Sequence, residues 1–211
     1  MTLRAITQPA ASGDTEYLFI GLHGWGANGA DLAALGTYLD LPTFTKVFPD
    51  APLPHPMAPG GRMWYGFPVG YDFQQPHDFN AQADLQATRQ TLHNWIKTTA
   101  EMAKVPLERT VVAGFSQGGA MAMDVALHMP IAAVLVLSGY LHSDPQPHEP
   151  PSPVLMVHGR QDPVVPLAKA QQARDRLTAL NVPVTYHEWD MGHEIQMPVL
   201  QVIERFCLGL G

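Results

Sequence analysis

A chain of 211 residues in which 46% of the side chains are hydrophobic has the size and make-up of one packed α/β domain. Its 12 Lys and Arg stand against 19 Asp and Glu, a net charge of −7 with no basic run, which excludes a nucleic-acid or anionic-membrane surface. No apolar run approaches the length needed to span a bilayer.

At the N-terminus no basic segment leads into an apolar one, and position 2 is Thr rather than Gly. Neither an export signal nor myristoylation is expected, and the default is a soluble, cytoplasmic protein. The first clear strand is predicted at Tyr17–Leu22. It feeds the glycine-rich turn Gly21-Leu22-His23-Gly24-Trp25-Gly26-Ala27-Asn28-Gly29. This turn lacks the Lys and the spacing of a phosphate-binding loop. Asn28 can cap a helix that carries Leu32, Leu35 and Leu39 at helical spacing. A second strand is predicted at Phe44–Phe48. Seven of the twenty prolines then fall between Pro49 and Pro76, so this stretch is a connection. It carries Trp64, Tyr65, Phe67, Tyr71 and Phe73. Connections this long in compact domains are usually functional. The aromatics are read as a candidate apolar wall for a substrate, with sealing of the core edge as the equal alternative.

A long helical stripe follows from about Phe79 to Lys104, through Leu85, Thr88, Leu92, Trp95, Ile96 and Met102. The next strand, Thr110–Gly114, runs into Gly114-Phe115-Ser116-Gln117-Gly118-Gly119, and a helical run begins at Ala120. A strand at Ala132–Leu137 precedes a second proline cluster, five between Pro145 and Pro153. The strand Pro153–Val157 leads to His158-Gly159-Arg160-Gln161-Asp162-Pro163-Val164-Val165-Pro166. A helix is predicted from Leu167 through Ala170, Arg174, Leu177 and Leu180. The last strand, Val184–Trp189, leads to Asp190-Met191-Gly192-His193-Glu194. The final helix presents Val199, Val202, Ile203, Phe206 and Leu210, and Cys207, the only cysteine, belongs to its apolar face as a core thiol. Near-continuous apolar strands alternating with amphipathic helices predict a mainly parallel α/β sheet covered on both faces, over residues 1–211 as one domain.

G-x-S-x-G between a strand and a helix is the pattern of a sharp turn that holds a serine hydroxyl at a sheet edge. A serine needs a base to take its proton and an acid to orient the base. Asp162 and His193 follow Ser116 in the order Ser, Asp, His that sheet-based hydrolases use, each just past a predicted strand. Taken singly, Asp162 can be a turn aspartate and His193 a loop histidine. Asp190 is a competing acid, but it lies too near His193 along the chain. Acyl transfer also builds an oxyanion, which backbone amides stabilise. The turn after the first strand can supply one amide, and Gln117, following the serine, the other. The scattered His55, His77, His142 and His148 do not have metal-ligand spacing. His23 and His158, each before a glycine at a strand end, are expected to be structural.

With these segments assembled, the chain resembles the α/β-hydrolase superfamily and, within it, the phospholipase/carboxylesterase family of bacterial carboxylesterases and acyl-protein thioesterases. The resemblance rests on Leu22-His23-Gly24-Trp25-Gly26, on Gly114 through Ala120, on Leu137-Ser138-Gly139-Tyr140, on His158-Gly159 with Asp162 through Pro166, and on Gly192-His193. It implies a compact α/β-hydrolase fold without a large cap domain. It implies Ser116 as nucleophile, His193 as general base and then acid, Asp162 as its partner, and the amides of Trp25 and Gln117 as the oxyanion hole. Trp64, Tyr65, Phe67 and Tyr71 are the candidate substrate-binding aromatics. No cofactor and no metal are implied. The partner is a small-molecule or lipid-like acyl ester, and homodimers occur in the family. Family members commonly carry Leu where this chain has Trp25. A serine peptidase or amidase, and a non-catalytic hydrolase-shaped binding protein, are the competing readings.

Overall fold

A computed structural model describes residues 3–74 and 77–210. Thr2 and Pro76, the last proline of the first cluster, lie outside the described residues.

The chain opens with β1 (Ala5–Gln8) and β2 (Tyr17–Leu22), then α1 (Gly29–Gly36) and β3 (Phe44–Pro49). Two short strands, β4 (Leu53–Pro54) and β5 (Arg62–Met63), pair antiparallel within the proline-rich connection. A helical turn at Phe79–Ala81 precedes α2 (Ala83–Ala103). Then come β6 (Thr110–Phe115), α3 (Gln117–Met121) with its π-helical continuation Ala122–Ala126, β7 (Ala133–Leu137), β8 (Val154–Gly159), α4 (Leu167–Ala179), β9 (Val184–Trp189) and α5 (Met197–Leu208).

Seven strands form one sheet in the order β1-β3-β2-β6-β7-β8-β9. Every pairing is parallel except the edge pair β1·β3. β2 and β6 share the rungs from Leu18↔Thr110 to Leu22↔Gly114. Side chains alternate across a strand, so the sheet divides the core in two. Leu18, Ile20, Val112, Val134, Val136 and Met156 join α2, α3 and α4 on one face. Phe19, Val111, Leu135, Leu155 and Val157 join α1 and α5 on the other. This is the α/β-hydrolase arrangement, with no large cap domain among the described residues.

Asn28 caps α1 by accepting hydrogen bonds from the Ala30 and Asp31 amides, and Asp31 reciprocates to the Asn28 amide. Several predicted positions differ. The Phe79–Lys104 helix breaks near Gln82, where the backbone is extended. Met102 lies off the buried stripe of α2 and is exposed, and Leu180 falls beyond the end of α4 and is also exposed. β1 has no apolar run and its middle residues face solvent, so period-two hydrophobicity does not announce it. Cys207 is buried, and burial pushes its thiol pKa up to about 12. Among the described residues, no helix is long and apolar enough to cross a membrane.

Candidate active site

The turn from β6 to α3 puts Ser116 at φ 54°, ψ −117°, a left-handed-side conformation that side chains rarely adopt. It is held there by its own amide donating to the Leu137 carbonyl (2.8 Å) and by Ala120 N–H donating to the Ser116 carbonyl (3.0 Å). The turn admits no side chain at Gly118, where a Cβ would overlap the Leu22 carbonyl oxygen at the end of β2. The same closeness brings the β2 turn against the serine: a Cβ at Gly24 would lie 3.4 Å from the Ser116 Cβ.

His193 enters from the loop after β9. Its Nε2 lies 2.9 Å from Ser116 Oγ and its Nδ1 lies 2.7 Å from Asp162 Oδ2. The Phe115 ring packs against the imidazole at 4.8 Å. Asp162 comes from the loop after β8, and its side chain is fully buried. Its Oδ1 accepts from the Val164 and Val165 amides at 2.8 and 2.9 Å. Burial acts to raise the Asp162 pKa. The hydrogen bonds from His193, Val165 and Val164 together outweigh it and hold the carboxyl below its ordinary range. A carboxylate there fixes the proton on His193 Nδ1 and leaves Nε2 free to accept from the serine hydroxyl. Asp190, the competing acid, faces outward and pairs with Arg160 at 2.8 Å.

His158 and His23 are both buried. His158 Nε2 donates to the Val165 carbonyl at 2.9 Å, fastening the Asp162 loop to β8. His23 Nδ1 donates to the Gly24 carbonyl and its Nε2 accepts from the Ala51 amide, which defines a neutral ring. Burial lowers the pKa of both.

Trp25 and Gln117 follow the ends of neighbouring strands, and among the described residues neither backbone amide donates a hydrogen bond. The Trp25 indole is 40% exposed, the largest open ring of the region. It meets His55 edge-on at 4.1 Å and Phe67 at 5.8 Å.

The four candidate substrate-binding aromatics separate into two pairs. Phe67 and Tyr71 stack on each other, partly exposed, at 5.4 Å. Trp64 and Tyr65 are 0% exposed and have no open face. Their polar atoms point to protein partners, and the Tyr65 hydroxyl is shared between Tyr140 and His142. His142 Nδ1 reaches Asp124 Oδ2 at 2.7 Å, and Arg89 Nε reaches the same carboxylate at 2.5 Å. The scatter of His142 and Asp124 along the chain gave no sign of this buried chain of polar groups.

The family model described as Phospholipase/Carboxylesterase matches residues 5–208. Esterase YpfH of Escherichia coli (strain K12) is 28% identical over 192 residues, covering 88% of this chain and 79% of that protein. Acyl-protein thioesterase 1 of Saccharomyces cerevisiae is 30% identical over 169 residues, covering 72% and 73%. Of solved structures, esterase PE8 superposes with a TM-score of 0.90 at 26% identity over the full length of both chains. The Bacillus cereus carboxylesterase shares the fold with a TM-score of 0.80 at 18% identity, covering 99% of this chain and 95% of that one.

Proposed function

Since the chain belongs to the phospholipase/carboxylesterase family of esterase- and thioesterase-type hydrolases, we propose that it is a serine hydrolase that cleaves small or lipid-like acyl esters through a Ser116–His193–Asp162 triad and an acyl-enzyme. The observation that carries this reading is the continuous chain of hydrogen bonds: Ser116 Oγ to His193 Nε2 at 2.9 Å, His193 Nδ1 to Asp162 Oδ2 at 2.7 Å.

In this mechanism the Ser116 oxygen attacks the acyl carbon as its proton passes to His193 Nε2. The carbonyl oxygen becomes an oxyanion and takes hydrogen bonds from the Trp25 and Gln117 amides. The tetrahedral intermediate collapses. The bond to the leaving oxygen or sulfur breaks, and His193 returns its proton to the leaving alcohol or thiol. Water then attacks the acyl-enzyme by the same route and frees the acid and Ser116. Asp162 keeps its negative charge beside the imidazolium in both halves. Phe67 and Tyr71, with the Trp25 indole, form the apolar surface open to the acyl group. A cytoplasmic setting belongs to the same proposal.

A fluorophosphonate probe tests it. Wild-type protein is expected to be labelled at Ser116 and to turn over nitrophenyl esters. Ser116→Ala is expected to lose both labelling and turnover. Labelling of folded Ser116→Ala at the wild-type rate removes the nucleophile assignment. An intact wild-type protein with no turnover across esters and thioesters of graded length supports a binding protein instead.

A further inference from the structure

The segment Arg62–Tyr65 lies between the two turns that carry the Trp25 and Gln117 amides and bonds to both. On one side, the Arg62 amide donates to the Ala27 carbonyl at 2.7 Å, and the Gly26 amide donates to the Arg62 carbonyl at 2.9 Å. The Trp64 indole Nε1–H donates to the His23 carbonyl at 2.9 Å, two residues before Trp25. On the other side, the Trp64 amide donates to Gln117 Oε1 at 2.9 Å, and Gln117 Nε2 donates to the Tyr65 carbonyl at 2.8 Å. The Gln117 side chain is wholly buried, and both ends of its amide are satisfied by this one segment. The segment is itself anchored from α2, where Thr88 Oγ1 donates to the Trp64 carbonyl at 2.7 Å.

Two amides on separate turns stabilise an oxyanion only if their spacing is set before the charge forms. A turn at the end of a strand has its own freedom. A misplacement of about 1 Å can cost about 100-fold in rate. Resting on the ester-hydrolase reading above, we propose that Trp64 and the Gln117 side chain are positioning residues: with Arg62–Tyr65 they form a brace that fixes the distance between the Trp25 and Gln117 amides. Trp64 is therefore assigned to the oxyanion hole's geometry rather than to the acyl-binding wall. Gln117 has two functions, one from its backbone and one from its side chain.

The test compares Trp64→Phe, Gln117→Met and Thr88→Val with wild type. All three keep the backbone amides at positions 25 and 117. Trp64→Phe keeps an aromatic ring in the core while removing the indole donor and part of the side-chain volume. Each variant is measured for kcat and KM on a short nitrophenyl ester. Each is also titrated with a trifluoromethyl ketone, which adds to a serine and places an oxyanion, and with the methyl ketone of the same shape, which binds without adding. For Trp64→Phe and Gln117→Met, kcat is expected to fall about 10- to 100-fold, and trifluoromethyl ketone affinity by the same factor. Their KM and methyl ketone affinity are expected to hold within about twofold. Thr88→Val acts through Trp64 and is expected to show the same pattern at smaller size.

A folded Trp64→Phe with wild-type kcat and trifluoromethyl ketone affinity overturns the brace, even if its melting temperature drops. Equal weakening of both ketones also overturns it. If Gln117→Met does not fold, Trp64→Phe and Thr88→Val decide the matter. Full turnover by Ser116→Ala is a different failure, that of the ester-hydrolase reading itself.

Discussion

Asp162 meets His193 through one carboxylate oxygen, Oδ2, at 2.7 Å, while its other oxygen is committed to the Val164 and Val165 amides. That division of labour determines what Asp162→Asn would do. The side-chain carbonyl must stay with the two backbone donors, which turns the NH2 group toward His193 Nδ1. The imidazole then has to present a lone pair there and carry its proton on Nε2, where it can no longer accept from Ser116. kcat is expected to fall by about 10⁴-fold with the fold intact, following the loss known for the wrong tautomer in serine hydrolases. Steady-state kinetics with circular dichroism on the same sample checks it. A loss below tenfold argues that Asp162 does not orient the imidazole.

The Trp25 indole is exposed beside Phe67 and His55, while its backbone amide is the proposed oxyanion donor. Trp25→Ala keeps that amide and takes the indole out of the apolar surface. Relative kcat/KM for long over short acyl esters is expected to fall by about tenfold, within the range that lost methylene contacts command in an apolar pocket. The measurement is a chain-length series of nitrophenyl esters. A uniform loss across the series means that the ring supports the turn and does not select the acyl chain.

His23, His142 and His158 are buried, and burial depresses the pKa of each below the ordinary histidine value. The unfolded chain therefore takes up protons below about pH 6.5 that the folded chain refuses. Stability is expected to be flat above neutrality and to fall on acidification, until the depressed folded-state values are reached. Each such proton contributes up to about 1.4 kcal/mol per pH unit, and each kcal/mol moves the melting temperature by about 2–4 °C at this size. Calorimetry between pH 5.5 and 7.5 is the check. Equal or higher stability at the acid end contradicts neutral, buried rings.

Asp124 accepts from both His142 and Arg89 and is largely buried. Asp124→Ala leaves the guanidinium without its counter-charge, and a loss of about 3–5 kcal/mol is expected. Urea denaturation measures it. A loss under 1 kcal/mol, about the worth of an exposed pair, would mean that the network is solvated in practice.

The Cys207 thiol, with its pKa near 12, is expected to resist alkylation in the native protein and to react at the rate of unfolding. Iodoacetamide labelling across a urea series gives that rate. Fast labelling in buffer would place the thiol at the surface.

The sheet was largely legible because its parallel strands are buried on both faces and read as unbroken apolar runs, as at Val111–Val112 and Val134–Val136. The site residues could be proposed from strand-end motifs because Ser116, Asp162 and His193 each follow a strand by a few residues. β1 was not legible, since an edge strand with solvent-facing middle residues has no hydrophobic signature. The division of the aromatic connection into buried Trp64 and Tyr65 and open Phe67 and Tyr71 was also hidden. Composition marks such a stretch as apolar, but only tertiary partners such as His23 and Gln117 decide which ring turns inward.

β2 and β6 are hydrogen-bonded neighbours, and their last shared rung is Leu22↔Gly114. Trp25 and Gln117 stand at the same offset beyond it on their respective strands. Strand register thereby sets the two turns level with each other, and the Arg62–Tyr65 segment bonded to both holds the gap that register begins. Lengthening the surface loops elsewhere leaves that register untouched, whereas one residue inserted after either strand end throws the two donors out of step. Laboratory redesign of substrate scope therefore has its freedom in the proline-rich connection outside Arg62–Tyr65, and none in that segment or in the two short turns at 22–25 and 114–117.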